Sequence, residues 1–118
     1  MKNIGIVGTG FMGTAIMAAV LREHPDAQFG MVEKDGSRRD YATREFGTVD
    51  FSPQPEELFG FADIVILALK PQDLDAFAES IGPAARNSLV LSILAGTTID
   101  TIRSALGTRR VVRIMPNL

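Results

Sequence analysis

No cysteine occurs in the 118 residues, which excludes a disulfide framework and thiolate chemistry. No segment supplies the ~20 consecutive apolar residues that a bilayer-crossing helix needs, and the apolar run between Met1 and Gly8 is too short for a secretory signal. Charge of one sign is nowhere concentrated: 12 Lys and Arg are interleaved with 14 Asp and Glu, for a formal net charge of −2. A nucleic-acid surface gathers positive charge to face phosphates, so that class is excluded, and a membrane protein with it. Low-complexity linkers and a solenoid repeat period are missing too. A soluble, cytoplasmic protein is the expectation.

What is present fits one globular domain over residues 1–118, with 46% hydrophobic and 22% charged residues. Ile4 to Val7 reads as a strand that stops at Gly8, and Phe11 to Leu21 places Met12, Ile16, Ala19 and Val20 at helical spacing. Gln28 to Val32 is a second strand ending at Glu33, Lys34 to Arg39 a polar loop, and Asp40 to Phe46 a helix closed by Gly47. Val49 to Phe51 is a brief strand. Pro55 with Glu56 and Glu57 opens a short helix to about Phe61. Ile64 to Leu69 is apolar on both faces, as in a central parallel strand, and Leu89 to Leu94 repeats the pattern. Helices follow from Pro71 to Ile81 and from a capping-box-like opening at Thr97 to Asp100 as far as about Gly107. Arg110 to Met115 is the last strand. Strict alternation of strand and helix predicts an α/β fold, a doubly wound parallel sheet; with the glycine turn that follows its first strand, this reads as a Rossmann-type dinucleotide-binding domain.

Gly8-Thr9-Gly10-Phe11-Met12-Gly13 fits G-x-G-x-x-G between the first strand and first helix, the context in which the pattern has a mechanism. Gly8 permits a tight turn, Gly10 lets a pyrophosphate approach the backbone, and Gly13 lets helix and strand pack closely. Met12 and Met17 are expected to pack, and Phe11 and Met12 could also touch a cofactor through the same turn. Glu33, 20 residues beyond Gly13, stands where an acidic residue hydrogen-bonds an adenosine ribose, which favours NAD. Lys34, Arg38 and Arg39 follow at once and could neutralise the 2′-phosphate of NADP, so NADPH and NADH both remain open. His24, the single histidine, stands beside Pro25 at a helix end, where a cation suits the dipole, and is read as structural.

Together with the opening Ile4 to Gly13, the segments Ala62 to Gln72, Ser92 to Gly96 and Arg113 to Asn117 resemble the N-terminal domain of pyrroline-5-carboxylate reductases across nearly the whole chain. The resemblance implies reduction of the cyclic imine 1-pyrroline-5-carboxylate to proline by hydride transfer from NADPH or NADH. It places Ala68, Leu69, Lys70 and Pro71, together with Ile93, Leu94 and Ala95, along the pyrophosphate and nicotinamide ribose. Gly96 would keep that turn open, and Asn117 would approach the nicotinamide carboxamide. It also implies that a helical C-terminal domain, absent from these residues, forms a homo-oligomer and completes the pocket for the small-molecule substrate. No catalytic proton donor and no metal site are expected within the 118 residues.

Three departures stand out. Leu118 follows Met115-Pro116-Asn117 where the family commonly has Thr-Pro, Pro55 stands where many members have an asparagine contacting adenosine, and Glu33-Lys34 replaces a serine- or arginine-rich NADP pattern. Two other readings are open: a related reductase of the F420-dependent NADP oxidoreductase, imine reductase or β-hydroxyacid type, or a non-catalytic module that senses NAD(P).

Overall fold

The computed structural model describes residues 2–115. Strands β1 (Asn3–Val7), β2 (Gln28–Val32), β3 (Val49–Asp50), β4 (Ile64–Leu67), β5 (Val90–Ser92) and β6 (Val111–Arg113) alternate with helices. The helices are α1 (Phe11–Glu23), α2 (Gly36–Phe46), α3 (Leu58–Phe61), α4 (Leu74–Ile81) and α5 (Ile99–Leu106). The strands form one parallel sheet in the order β3-β2-β1-β4-β5-β6, with Ile4 of β1 opposite both Phe29 of β2 and Ile64 of β4. The expected doubly wound fold is the observed one.

Side chains on a strand alternate between faces, and that alternation sorts the apolar residues into two cores. Ile4, Ile6, Phe29, Met31 and Ile66 point to one face and bury with Met17 of α1 and Ala42 of α2. Val7, Val65, Leu67 and Val90 point to the other and bury with Leu58 of α3, Phe77 of α4 and Ile102 of α5. Fully burying a Val, Leu, Ile, Phe or Met side chain contributes roughly 1.5–3 kcal/mol of apolar transfer. On this second face, Gly5 and Gly30 lie opposite each other in the ladder. A Cβ on Gly5 would stand 3.0 Å from Leu58 Cγ, and one on Gly30 2.8 Å from the Phe51 ring, so the paired glycines let α3 and the Phe51–Phe61 aromatic pair settle directly onto the backbone.

The segment Lys34 to Arg39, expected to be a loop, is helical from Gly36 onward. Asp35 is the reason: its Oδ1 accepts hydrogen bonds from the Ser37 and Arg38 backbone N–H groups at 2.9 and 3.2 Å, which starts the helix one turn earlier. Gly47 closes α2 in the left-handed conformation, φ 63°. The cap of α5 is Thr98 rather than Thr97, with Oγ1 accepting from Thr101 N–H at 3.1 Å. Residues 68–69, 93–94, 110 and 114–115 fall outside their strands. At 68–69 and 93–94 apolar character outruns the strand because these residues are still buried or half-buried, whereas Arg110, Ile114 and Met115 are exposed.

The Ser37 hydroxyl, donating to Asp35 Oδ1 at 2.6 Å, together with the Arg38 N–H, lowers the Asp35 pKa below its usual value. A carboxylate whose folded pKa is depressed stabilises the fold above its unfolded pKa, and that contribution is lost as pH falls through the folded value. Asp35→Ala should therefore lower the melting temperature at pH 7, with the gap from the parent chain closing in acid below the ordinary carboxylate range. A gap that does not narrow in acid would show that the ionised cap is not what starts α2. No helix among the described residues is long and apolar enough to cross a membrane.

Candidate functional site

The sheet order places β2 and β4 on opposite sides of β1, so the connections leaving the carboxyl ends of these strands diverge and leave a crevice between them. A cleft of about 530 Å³ occupies that place, within the range of small-molecule sites. A larger hollow of about 640 Å³, lined in part by Asp63, Leu89 and Arg110, lies at the opposite edge, where β4, β5 and β6 begin.

The glycine turn builds one wall. Gly8 has φ 93°, and a Cβ there would lie 2.7 Å from the Ala68 carbonyl oxygen. Its N–H donates to Val32 O at 2.9 Å, which ties the turn to β2. Gly13 is closer still: a Cβ would lie 2.3 Å from the Gly8 carbonyl oxygen. Gly10 differs, because a Cβ on it would meet only the Arg38 guanidinium, at 3.6 Å. Its backbone thus faces open cleft at the start of the 13-residue α1, whose N-cap has no side-chain hydrogen bond. Unpaired N–H groups and the positive end of the helix dipole are directed into that space. This is a cradle that any side chain at residue 10 would fill, and it has the shape and polarity for a pyrophosphate.

Glu33 holds the turn from the far side. The residue is buried at 5% exposure; Oε1 accepts from Thr9 N–H at 2.7 Å and from Thr9 Oγ1 at 3.1 Å, and Oε2 accepts from Asp35 N–H at 2.9 Å. Three donors on one carboxylate join the glycine turn, the end of β2 and the start of α2.

The basic residues after β2 divide by role. Arg39 donates from Nη1 to Glu33 O at 2.8 Å, and its Nε lies 3.7 Å from Asp50 Oδ2, so it is committed to the protein. Lys34 Nζ reaches 3.1 Å from Asp73 Oδ1. Arg38 and Lys70 line the cleft with no ion-pair partner among the described residues.

Of the residues singled out in the sequence, Gly8, Gly10, Phe11, Met12, Glu33, Lys34, Ala68, Leu69 and Lys70 line this one cleft. Phe11 projects from its rim, 82% exposed. Thr9 and Gly13 do not line it: Thr9 is turned inward to Glu33, and Gly13 packs on the Gly8 carbonyl. Pro71 starts a 3₁₀ turn beside the cleft. Ile93, Leu94, Ala95 and Gly96 follow β5 outside the lining, and the Leu94 side chain is buried in the core at 2% exposure. Asn117 lies outside the described residues. His24 caps the far end of α1. Sequence reasoning did not single out Asp73, Ala76 and Phe77, which line the cleft from the opening of α4. Their i, i+3, i+4 spacing was a legible sign that they share one helix face. Among the described residues no cluster of His, Asp or Glu could hold a metal ion.

A glycine turn that opens a helix at the switch point of a six-stranded parallel sheet defines this chain as a Rossmann-type α/β domain. Comparison with known proteins narrows the class. The chain belongs to the family described as NADP oxidoreductase, coenzyme F420-dependent, whose model matches residues 3–96. It is 35% identical over 117 residues to a pyrroline-5-carboxylate reductase of Synechocystis, covering 98% of this chain and 43% of that protein. Pyrroline-5-carboxylate reductase 2 of Bacillus subtilis is 36% identical over 121 residues, covering 99% and 43%. A pyrroline-5-carboxylate reductase structure from Coxiella burnetii superposes with a TM-score of 0.86 at 25% identity, covering 99% of this chain and 44% of that one. The chain thus spans less than half the length of the curated relatives it matches.

Proposed function

We propose that residues 1–118 are the NAD(P)H-binding domain of a reductase acting on a C=N bond, of the pyrroline-5-carboxylate reductase kind. The observation that carries the reading is the open backbone at Gly10, set between close-packed Gly8 and Gly13 and under the Arg38 guanidinium. When bound, the dihydronicotinamide supplies the hydride. The chain's own residues bind and orient: the α1 N-terminus receives the pyrophosphate, and Arg38 and Lys70 offset its charge. Glu33 Oε2, with one bond accepted, keeps acceptor capacity for a ribose hydroxyl. Ala68 and Leu69 flank the dinucleotide, with Ile93 to Gly96 and Asn117 assigned to the nicotinamide side on resemblance.

On this reading the imine substrate, 1-pyrroline-5-carboxylate, is held by parts of the longer enzyme beyond these residues, in a cytoplasmic homo-oligomer. A coenzyme F420-dependent NADP oxidoreductase is the second reading, favoured by the description of the matching family model. The relatives at 35% and 36% identity over almost the whole chain outweigh it.

Calorimetric titration of the chain with NADPH and with NADH tests the proposal. Saturable binding of at least one cofactor is expected, with no turnover of 1-pyrroline-5-carboxylate by these residues alone. Failure of both to bind at roughly millimolar concentration, the weak end of specific affinity, would remove the assignment.

A further inference from the structure

Lys34 follows β2 and Asp73 precedes α4 on the β4 side, so the 3.1 Å contact between them bridges the cleft above the end of β1. It joins residues 39 apart in sequence, and both side chains belong to the lining. Glu33, the neighbour of Lys34, marks the ribose end of a dinucleotide in this fold. A cation one residue further on is placed to meet a 2′-phosphate. In this chain that cation is already engaged by a carboxylate from the opposite wall.

We propose that Asp73 is a cofactor-selecting residue, which disfavours NADPH relative to NADH by holding Lys34 across the adenosine end of the cleft. The inference rests on the cofactor reading given above. A 2′-phosphate entering this end must take Lys34 from Asp73 and then sit near the freed carboxylate. A 2′-hydroxyl needs neither change. Arg39 cannot substitute, because its guanidinium is committed to Glu33 O and Asp50. Arg38 lies over Gly10, at the pyrophosphate end. Selection at the 2′ position therefore falls to the Lys34–Asp73 pair.

The pair is open to solvent, with the Lys34 and Asp73 side chains 78% and 32% exposed, so replacing either leaves the core untouched. Asp73→Asn should tighten NADPH binding roughly tenfold, the order of one charge-assisted hydrogen bond released to the ligand. NADH should change by less than about twofold, since it carries no charge at that position. In a Lys34→Gln background the same Asp73→Asn change should move NADPH affinity by less than about threefold, because no cation is freed. Calorimetric dissociation constants for the four proteins with both cofactors decide the matter. An unchanged NADPH-to-NADH ratio in Asp73→Asn overturns the role of Asp73 while leaving the cofactor site standing. An equal NADPH gain with and without Lys34 overturns the role of the ion pair. Absence of saturable binding in the parent chain overturns the cofactor reading and this inference with it.

Discussion

Gly10→Asp is expected to abolish dinucleotide binding while leaving the fold at least as stable as the parent. Gly10 is the N-cap of α1 in extended backbone, φ −76° and ψ −157°, which any residue can adopt. Its added Cβ would make an ordinary contact with the Arg38 guanidinium at 3.6 Å. Aspartate is a better N-cap than glycine by a few tenths of a kcal/mol, and its charge suits the helix dipole by about 0.3–1 kcal/mol. The same carboxylate would stand where a pyrophosphate has to lie. Two like charges ~4 Å apart repel by about 4 kcal/mol at a surface-type effective dielectric, so affinity should fall on the order of 100-fold or more after partial screening. Calorimetry and a thermal melt on the same sample separate the two effects. Cofactor binding within about threefold of the parent would mean that the phosphates do not use this turn.

Gly13→Ala, three residues on, is expected to do the reverse and damage the fold itself. Its Cβ would stand 2.3 Å from the Gly8 carbonyl oxygen, and neither atom can rotate away, because both are fixed to backbone. Gly8 is further held by its N–H bond to Val32 O and by its approach to Ala68. Relief therefore requires α1 to move off the end of β1, loosening the core that Met17 shares with Ile6 and Ile66. A loss of roughly 2–4 kcal/mol is expected, in the range for overpacking against an unyielding partner. Denaturant unfolding measures it, and a change under about 0.5 kcal/mol would show that the turn relaxes freely. Two glycines of one motif thus answer to different tests, one of ligand access and one of packing.

Much of this was legible in the residues. The six strands and five helices follow from apolar runs such as Ile64 to Leu69 punctuated by Gly8, Gly47 and Gly82. The glycine turn was identifiable because its spacing falls between a strand and a helix. The start of α2 was not read, although Asp35 with Ser37 two residues on carries a capping signal. The polar character of Lys34 to Arg39 made the segment look like loop, and the cap outweighed it. Leu94 was assigned to the site through the family resemblance alone, and its side chain turns inward to the core.

The sequence by itself determined the order of elements, the two apolar faces of each central strand and the place of the phosphate turn. These depend on periodicity and on glycine, both local properties of the chain. Only the tertiary structure decided what the charged residues do. Glu33, Lys34, Arg38 and Arg39 are near neighbours in sequence, yet their partners are Thr9, Asp73, the space over Gly10, and Asp50. Charge acts through distance in space, and those distances exist only once β1, β2 and β4 stand side by side.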